Sequence, residues 1–341
     1  MKRNLCYFLL LAALLTHYGC GARGFFTPAA VSPEQLESRM QAVLLTALNS
    51  DTPETRFHAL ESLSHRGGGK NKPDIRKLLY DSIPAVRFAA TLAVGDIQDF
   101  AARNRLGELL SDKNQSVRMG AAYALEKMGD DRFGKWYEDF LFGQDSKLTS
   151  QACLILGKLG NTPLRPNSKQ KLWQVLRRKG QKTSVQLQAA EALARLEDQM
   201  VLKPLLAFAG SSFADDRILA ISGLAHLKGP DAHAMLSVRA EDPQIEVQLA
   251  AIRALGAKAT DTDRKVVRKA LHYKDENEDH LATIRVRGLA VLALGKVGQK
   301  RDTTIFYKMM NTESDYISIA AARAAIDYLR RSQNKEIIKK M

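Results

Sequence analysis

Val117-Arg118-Met119-Gly120-Ala121-Ala122-Tyr123-Ala124-Leu125-Glu126-Lys127-Met128-Gly129 carries the period of an amphipathic helix. Val117, Ala121, Leu125 and Met128 fall on one face and make an apolar stripe. The small pair Ala121-Ala122 lets a neighbouring helix come close.

The same pattern recurs: an apolar residue, Arg, two variable residues, two small residues, a variable residue, Ala-Leu, and an apolar residue three places on. Copies start at Thr55, Val86, Val117, Leu148, Val185, Asp216, Val247, Val286 and Ile317, at spacings of 31, 31, 31, 37, 31, 31, 39 and 31. The two longer spacings coincide with loop-like inserts at residues 161–167 and 272–280. Ahead of each copy lies a second amphipathic stretch, as at 74–80, 101–110, 169–176 and 265–271. One such hairpin cannot bury its apolar face alone, so the copies must stack. The expected fold is all-α, a right-handed α-solenoid of about nine two-helix repeats shaped as a curved rod, spanning 33–341.

Ahead of the repeats, residues 1–19 read as a secretory signal peptide, with Lys2 and Arg3 before an apolar run at 5–15 that is short for a membrane span. The run ends at Gly19-Cys20, which resembles the lipobox of bacterial lipoproteins and makes Cys20 the candidate lipidation site, although His17 and Tyr18 depart from that pattern. Residues 20–32 read as a tether, and Ser32-Pro33-Glu34-Gln35 as a helix start with a capping box. The expected localisation is the bacterial cell envelope, with the chain anchored to a membrane through its N-terminal lipid. Three cysteines, Cys6, Cys20 and Cys153, exclude a disulfide framework or a cysteine zinc site. The net charge of +14, or +12 without Lys2 and Arg3, favours anionic partners.

The repeat residues resemble the HEAT family, and within it the short, Ala-rich repeats called PBS-lyase HEAT-like, over residues 50–328. That family carries an aspartate in the inter-helix turn and an arginine six residues later, which form an inter-repeat ladder. Asp81 with Arg87 and Asp112 with Arg118 fit the spacing; Asp242 meets Gln248, and Arg217 and Arg287 lack the aspartate. The resemblance implies a binding scaffold, and it also admits a bilin-lyase-like enzyme or a nucleic-acid binder. Paired His-Glu dipeptides of the di-iron members are missing, no nucleophile or phosphate-loop motif stands out, and the sequence points to no enzyme, metal or cofactor.

Two surfaces qualify as binding sites. Motif positions three and seven lie roughly opposite the apolar stripe, toward the concave side, and in repeats two to four they include Phe88, Leu92, Met119, Tyr123 and Leu154. These are the candidate partner-binding residues for a protein or peptide; the same spacing also suits core packing between neighbouring helices. The second surface is basic: Arg165, Lys169, Lys171, Arg177, Arg178, Lys179 and Lys182, with Trp173 among them and no acidic residue from 164 to 182. It suits an anionic surface or simply a solvated helix face, and export argues against nucleic acid. Motif position eleven, with His65, Lys127, Lys158, Arg195, His226 and Lys296, places cations at helix ends, where the helix dipole favours them.

Overall fold

The computed structural model describes residues 31–340 apart from 68, 134–135, 161–166 and 313. The leader, Cys20 and most of the tether lie outside the described residues.

The helices come in nine consecutive pairs, as the period requires: α1 (Pro33–Leu48) with α2 (Pro53–Arg66), α3 (Lys72–Lys77) with α4 (Pro84–Asp96), α5 (Arg103–Leu109) with α6 (Gln115–Lys127), α7 (Trp136–Leu141) with α8 (Ser146–Leu159), α9 (Ser168–Arg177) with α10 (Thr183–Arg195), α11 (Leu202–Ala209) with α12 (Ala214–Leu224), α13 (Pro230–Arg239) with α14 (Ile245–Leu255), α15 (Asp261–Ala270) with α16 (His280–Val297), and α17 (Thr303–Met309) with α18 (Asp315–Lys340). The even-numbered helices carry the motif and form the inner layer.

Local chemistry sets the helix ends. Ser32 and Gln35 form the expected capping box, with Pro33 at the first helical position. Asn114 accepts the amides of Ser116 and Val117 at the start of α6. Motif position thirteen takes a left-handed backbone in five repeats, at Gly67, Gln98, Gly129, Gly160 and Glu197, and stops the inner helix there. Glycine suits that conformation; Gln98 and Glu197 adopt it against their own preference because the turn demands it.

Each inner helix packs on the next, and the contact is held close by small residues. A side chain at Gly95 would meet the Ala124 backbone at 2.8 Å, one at Gly157 the Ala192 backbone at 3.0 Å, and one at Gly295 the Ala324 backbone at 2.6 Å. These are one recurring contact, position ten of one repeat against position eight of the next. Short inner contacts beside a bulkier outer layer turn each repeat relative to the last.

The turning goes further than an open rod. Helix α18 packs against α1 and α2, and α1 also meets α17, so repeat nine takes the place beside repeat one that a preceding repeat would occupy. Arg39 donates to the Met310 carbonyl at 3.0 Å, Thr55 to Asp315 at 3.4 Å, and Arg323 to the Glu61 carbonyl at 2.9 Å, while His65 Nε2 lies 2.8 Å from Asp327 Oδ1. The solenoid is therefore a closed ring, which corrects the curved rod expected from the repeat alone. Nine repeats closing on themselves share a full turn, roughly 40° each.

The aspartate–arginine ladder runs between successive repeats. Arg56 chelates Asp81 (2.7 and 3.0 Å), Arg87 chelates Asp112 (3.0 and 3.1 Å), and Arg217 chelates Asp242 (3.0 and 2.9 Å). In these three pairs the arginine reaches the aspartate of the following repeat, while its Nη1 bonds carbonyls of its own turn, as Arg87 does to Asp81; Arg118 makes the second contact, to the Asp112 carbonyl. Arg217, expected to lack an aspartate, thus has one, and Asp242 is matched without help from Gln248.

Candidate functional site

The inner wall of the ring divides into a sealed half and an open half. In repeats two to four the side chains at motif positions three and seven are largely internal: Met119 and Tyr123 are fully buried and Phe88 is 8% exposed, with Leu92 partly buried against the core and Leu154 half-buried. Phe88, Met119 and Tyr123 therefore do not line a partner groove, which corrects that expectation. The cause is curvature: with Gly95 and Gly120 at the contacts, α4 and α6 lie so close that position three of one helix is covered by the next. A side chain built at Gly120 would collide with Thr91 and Phe88.

What sits at the inner face there is a polar lock. The Tyr123 hydroxyl donates to Asp96, and Lys158, two repeats on, donates to the other Asp96 oxygen at 2.8 Å and lies 5.9 Å from the Tyr123 ring centre. Burial, reinforced by the Asp96 charge, pushes the Tyr123 phenol far above its ordinary range, so it stays a donor. The chemistry this arrangement can do is structural.

The basic run is not one surface either. Arg165 lies outside the described residues. Lys171 pairs with Glu138, Arg177 stacks 4.4 Å from the centre of the Trp173 ring, whose Nε1 donates to Asp198 at 3.0 Å, and Arg178 reaches the Phe142 carbonyl at 3.3 Å. Lys169 is half-buried, leaving Arg177, Lys179 and Lys182 exposed on the outer helix and the turn after it. Cys153 is buried in α8, and burial pushes its thiol up to about 12, consistent with a packing role. Among the described residues no group of three His, Cys, Asp or Glu side chains is placed to hold a metal ion.

The open half belongs to repeats five to nine. A trough of about 490 Å³ runs along the inner faces of α10, α12, α14 and α16. Its floor is apolar, with Ile218, Leu249 and Leu289, and Glu191, Arg195, His226 and Arg253 stand around it. Arg195 is bound to Glu191 at 2.8 Å, and His226 lies 3.8 Å from the same carboxylate. Burial first, then the Arg195 charge, hold the His226 imidazole below its usual range, so it is neutral near pH 7. A second cavity of about 290 Å³ lies where repeat nine meets repeat one, lined by His58, Glu61, Arg253, Tyr316 and Arg323 among others. Arg253 lines both.

Sequence reasoning passed over these residues although it had them in view. Arg253 and Arg323 occupy motif position seven, the same inner column as Tyr123, and charge in that column, with Glu61 and Glu191 beside the two arginines, was the available signal.

The fold defines the class: an α-solenoid of stacked two-helix repeats closed on itself. A profile of HEAT repeats matches residues 41–126 and 234–327, just over half of the chain, and the chain belongs to the HEAT repeat family. The bilin biosynthesis protein MpeU of Synechococcus sp. (strain WH8020) is 34% identical over 88 residues, a match covering 24% of this chain and 30% of that protein. This chain thus spans less than a third of that relative's length. Among solved structures, human deoxyhypusine hydroxylase is 16% identical with a TM-score of 0.35, over 86% of this chain and 97% of that one. An engineered protein is 18% identical with a TM-score of 0.31, over 91% and 94%. The match to a bilin biosynthesis protein overturns the sequence reading that set enzymatic activity aside, and that exclusion is withdrawn.

Proposed function

We propose that this protein is an exported, lipid-anchored ring that holds a segment of a partner protein against the inner wall of repeats five to eight. The observation that carries the reading is the trough itself: Ile218, Leu249 and Leu289 form an apolar floor, Glu191, Arg195 and Arg253 offer charge beside it, and His226 adds a neutral imidazole. An extended segment with alternating apolar and charged side chains matches that lining, and shape and charge matched together are what specificity requires. Anchoring rests on the leader, from Lys2 and Arg3 to Gly19-Cys20.

The test is a photo-crosslinking amino acid placed at Ser222, on the inner wall, and at Lys203, exposed on outer helix α11, in cells making the full chain. The reading expects one discrete adduct at Ser222 that Ile218→Glu abolishes, and none at Lys203. Equal labelling at both positions, or an adduct insensitive to Ile218→Glu, contradicts it. Intact mass of the mature protein tests the anchor: a diacyl or triacyl mass on Cys20 supports it, and an unmodified terminus elsewhere ends it.

A second reading has its own support in the 34% identity to the bilin biosynthesis protein: the trough could receive a tetrapyrrole and act on it. Adding a linear tetrapyrrole to the purified chain and following its visible absorbance separates the two, since a peptide trough leaves the spectrum unchanged.

A further inference from the structure

The cavity at the junction of repeats nine and one is built from α2, α14, α16 and α18, and so exists only while the ring is closed. Its aromatic wall is set by a glycine. A side chain at Gly288 would lie 2.2 Å from Tyr316 Cε1, so only glycine there lets Tyr316 lie over α16, edge-on to His58 with ring centres 5.8 Å apart.

The charges do not balance. Arg253, from repeat seven, makes no hydrogen bond or ion pair with any described residue. Arg323, from repeat nine, spends Nη1 on the Glu61 carbonyl, while its Nε is buried without a partner. Burial, the larger effect, with the charges of Arg253 and Arg330 adding to it and those of Asp327 and Glu61 opposing it, pushes Arg323 down to about 10. The one carboxylate lining the cavity, Glu61, is 56% exposed and paired with His58 at 3.3 Å. Two guanidiniums against one engaged carboxylate leave room for one negative charge. Arginine forks match planar or tetrahedral oxyanions in bidentate geometry.

We infer that this cavity is an oxyanion site, in which Arg253 and Arg323 take a carboxylate- or phosphate-bearing small molecule whose binding ties repeat seven to the joint between repeats nine and one and holds the ring shut. At about 290 Å³ it accepts a compact ligand rather than a folded partner, at the small end of ligand pockets. Tyr316 and His58 add aromatic surface beside the two guanidiniums. The cavity shares Arg253 with the trough, but Ser222 and Ile218, where the partner-segment reading is tested, do not line it, so the two readings fail separately.

The test uses the purified full chain with inorganic phosphate, acetate or chloride at one ionic strength, read by melting temperature and by amide hydrogen exchange. Phosphate or acetate should raise Tm above the chloride value and slow exchange in α2 and α18; whichever acts identifies the anion. Arg253→Gln should weaken the effect at least tenfold without altering the ligand-free Tm, because Arg253 makes no bond in the empty ring. Arg195→Gln, outside this cavity, should leave it intact. Equal response to all three anions, or an undiminished response in Arg253→Gln, overturns the site. Binding without slower exchange in α2 and α18 overturns its role in closure.

Discussion

Tyr123 shows at the scale of one residue how a surface candidate becomes core. From sequence its place opposite the apolar stripe reads as concave and available; in the ring its side chain is fully buried and its hydroxyl is spent on Asp96. Tyr123→Ala should therefore cost about 3–5 kcal/mol of stability, as large buried aromatics do. Tyr123→Phe, which removes only the hydrogen bond and leaves Asp96 to Lys158, should cost about 1 kcal/mol. Chemical denaturation distinguishes these, and a near-neutral Tyr123→Ala would return the residue to the surface. Asp327 makes the second case. Burial would push its carboxyl up, but the hydrogen bond to His65 and the charge and hydrogen bond of Lys296 outweigh it and hold the group well below the usual carboxylate range. A carboxyl depressed by folding stabilises the native state above its unfolded pKa, near ~4, and that stabilisation drains as pH falls below it. His65 is pulled up by its bond to Asp327, yet burial and the charges of Arg323 and Arg330 win and lower it, so the fold prefers it neutral and starts losing stability below about pH 6.5. Both groups act in one direction. Tm should fall in two stages on acidification, and Asp327→Asn should flatten the lower stage; an acid limb unchanged in that variant would remove Asp327 from the account.

At the scale of the element, the repeat was legible and its coupling was not. Spacing placed all nine inner helices, because a period of 31 residues between identical apolar stripes admits few other readings. The ladder was misread in one respect: aspartate and arginine six residues apart share a turn, but the chelated pairs lie 25 residues apart, so the partner of Arg217 is Asp242 of the next repeat. That pairing depends on how repeats dock, which no single repeat encodes. Arg217 and Asp242 have side-chain exposures of 8% and 0%, so Asp242→Ala leaves an uncompensated buried cation and should cost about 3–5 kcal/mol, with exchange rising first in α12 and α14. Loss spread evenly over all repeats would contradict nearest-neighbour coupling. Gly95 belongs to the same scale. Gly95→Ala puts a methyl 2.8 Å from the Ala124 backbone and should cost about 1–3 kcal/mol, measurable by denaturant titration. Such glycines looked like ordinary small positions in the sequence, because what they accommodate is another repeat's backbone.

For the whole molecule, closure is the property that gives the inner wall its two halves. Composition and period predict a stack, but whether a stack closes depends on a small turn per repeat summed over nine, and an error of a few degrees each would separate the ends. The residues that make the joint, Arg39 with Met310, Thr55 with Asp315 and His65 with Asp327, are about 260–270 apart in sequence and carry no shared motif. The basic run is a case of the same kind: from Lys169 to Lys182, continuity along the chain became dispersal over an outer helix and the turn after it. The binding candidates that remain, the trough and the cavity at Arg253 and Arg323, depend on curvature for their shape. Small-angle X-ray scattering of the monomeric chain tests closure most directly. A closed ring of about this many residues should have a radius of gyration of roughly 20 Å, the value for a compact chain. Nine inner helices spaced at roughly 10 Å in an open array should instead give roughly 28 Å, with a correspondingly longer maximum dimension. The first result is the one this structure predicts; the second, in a monodisperse monomer, would contradict the ring and with it both inner-wall sites.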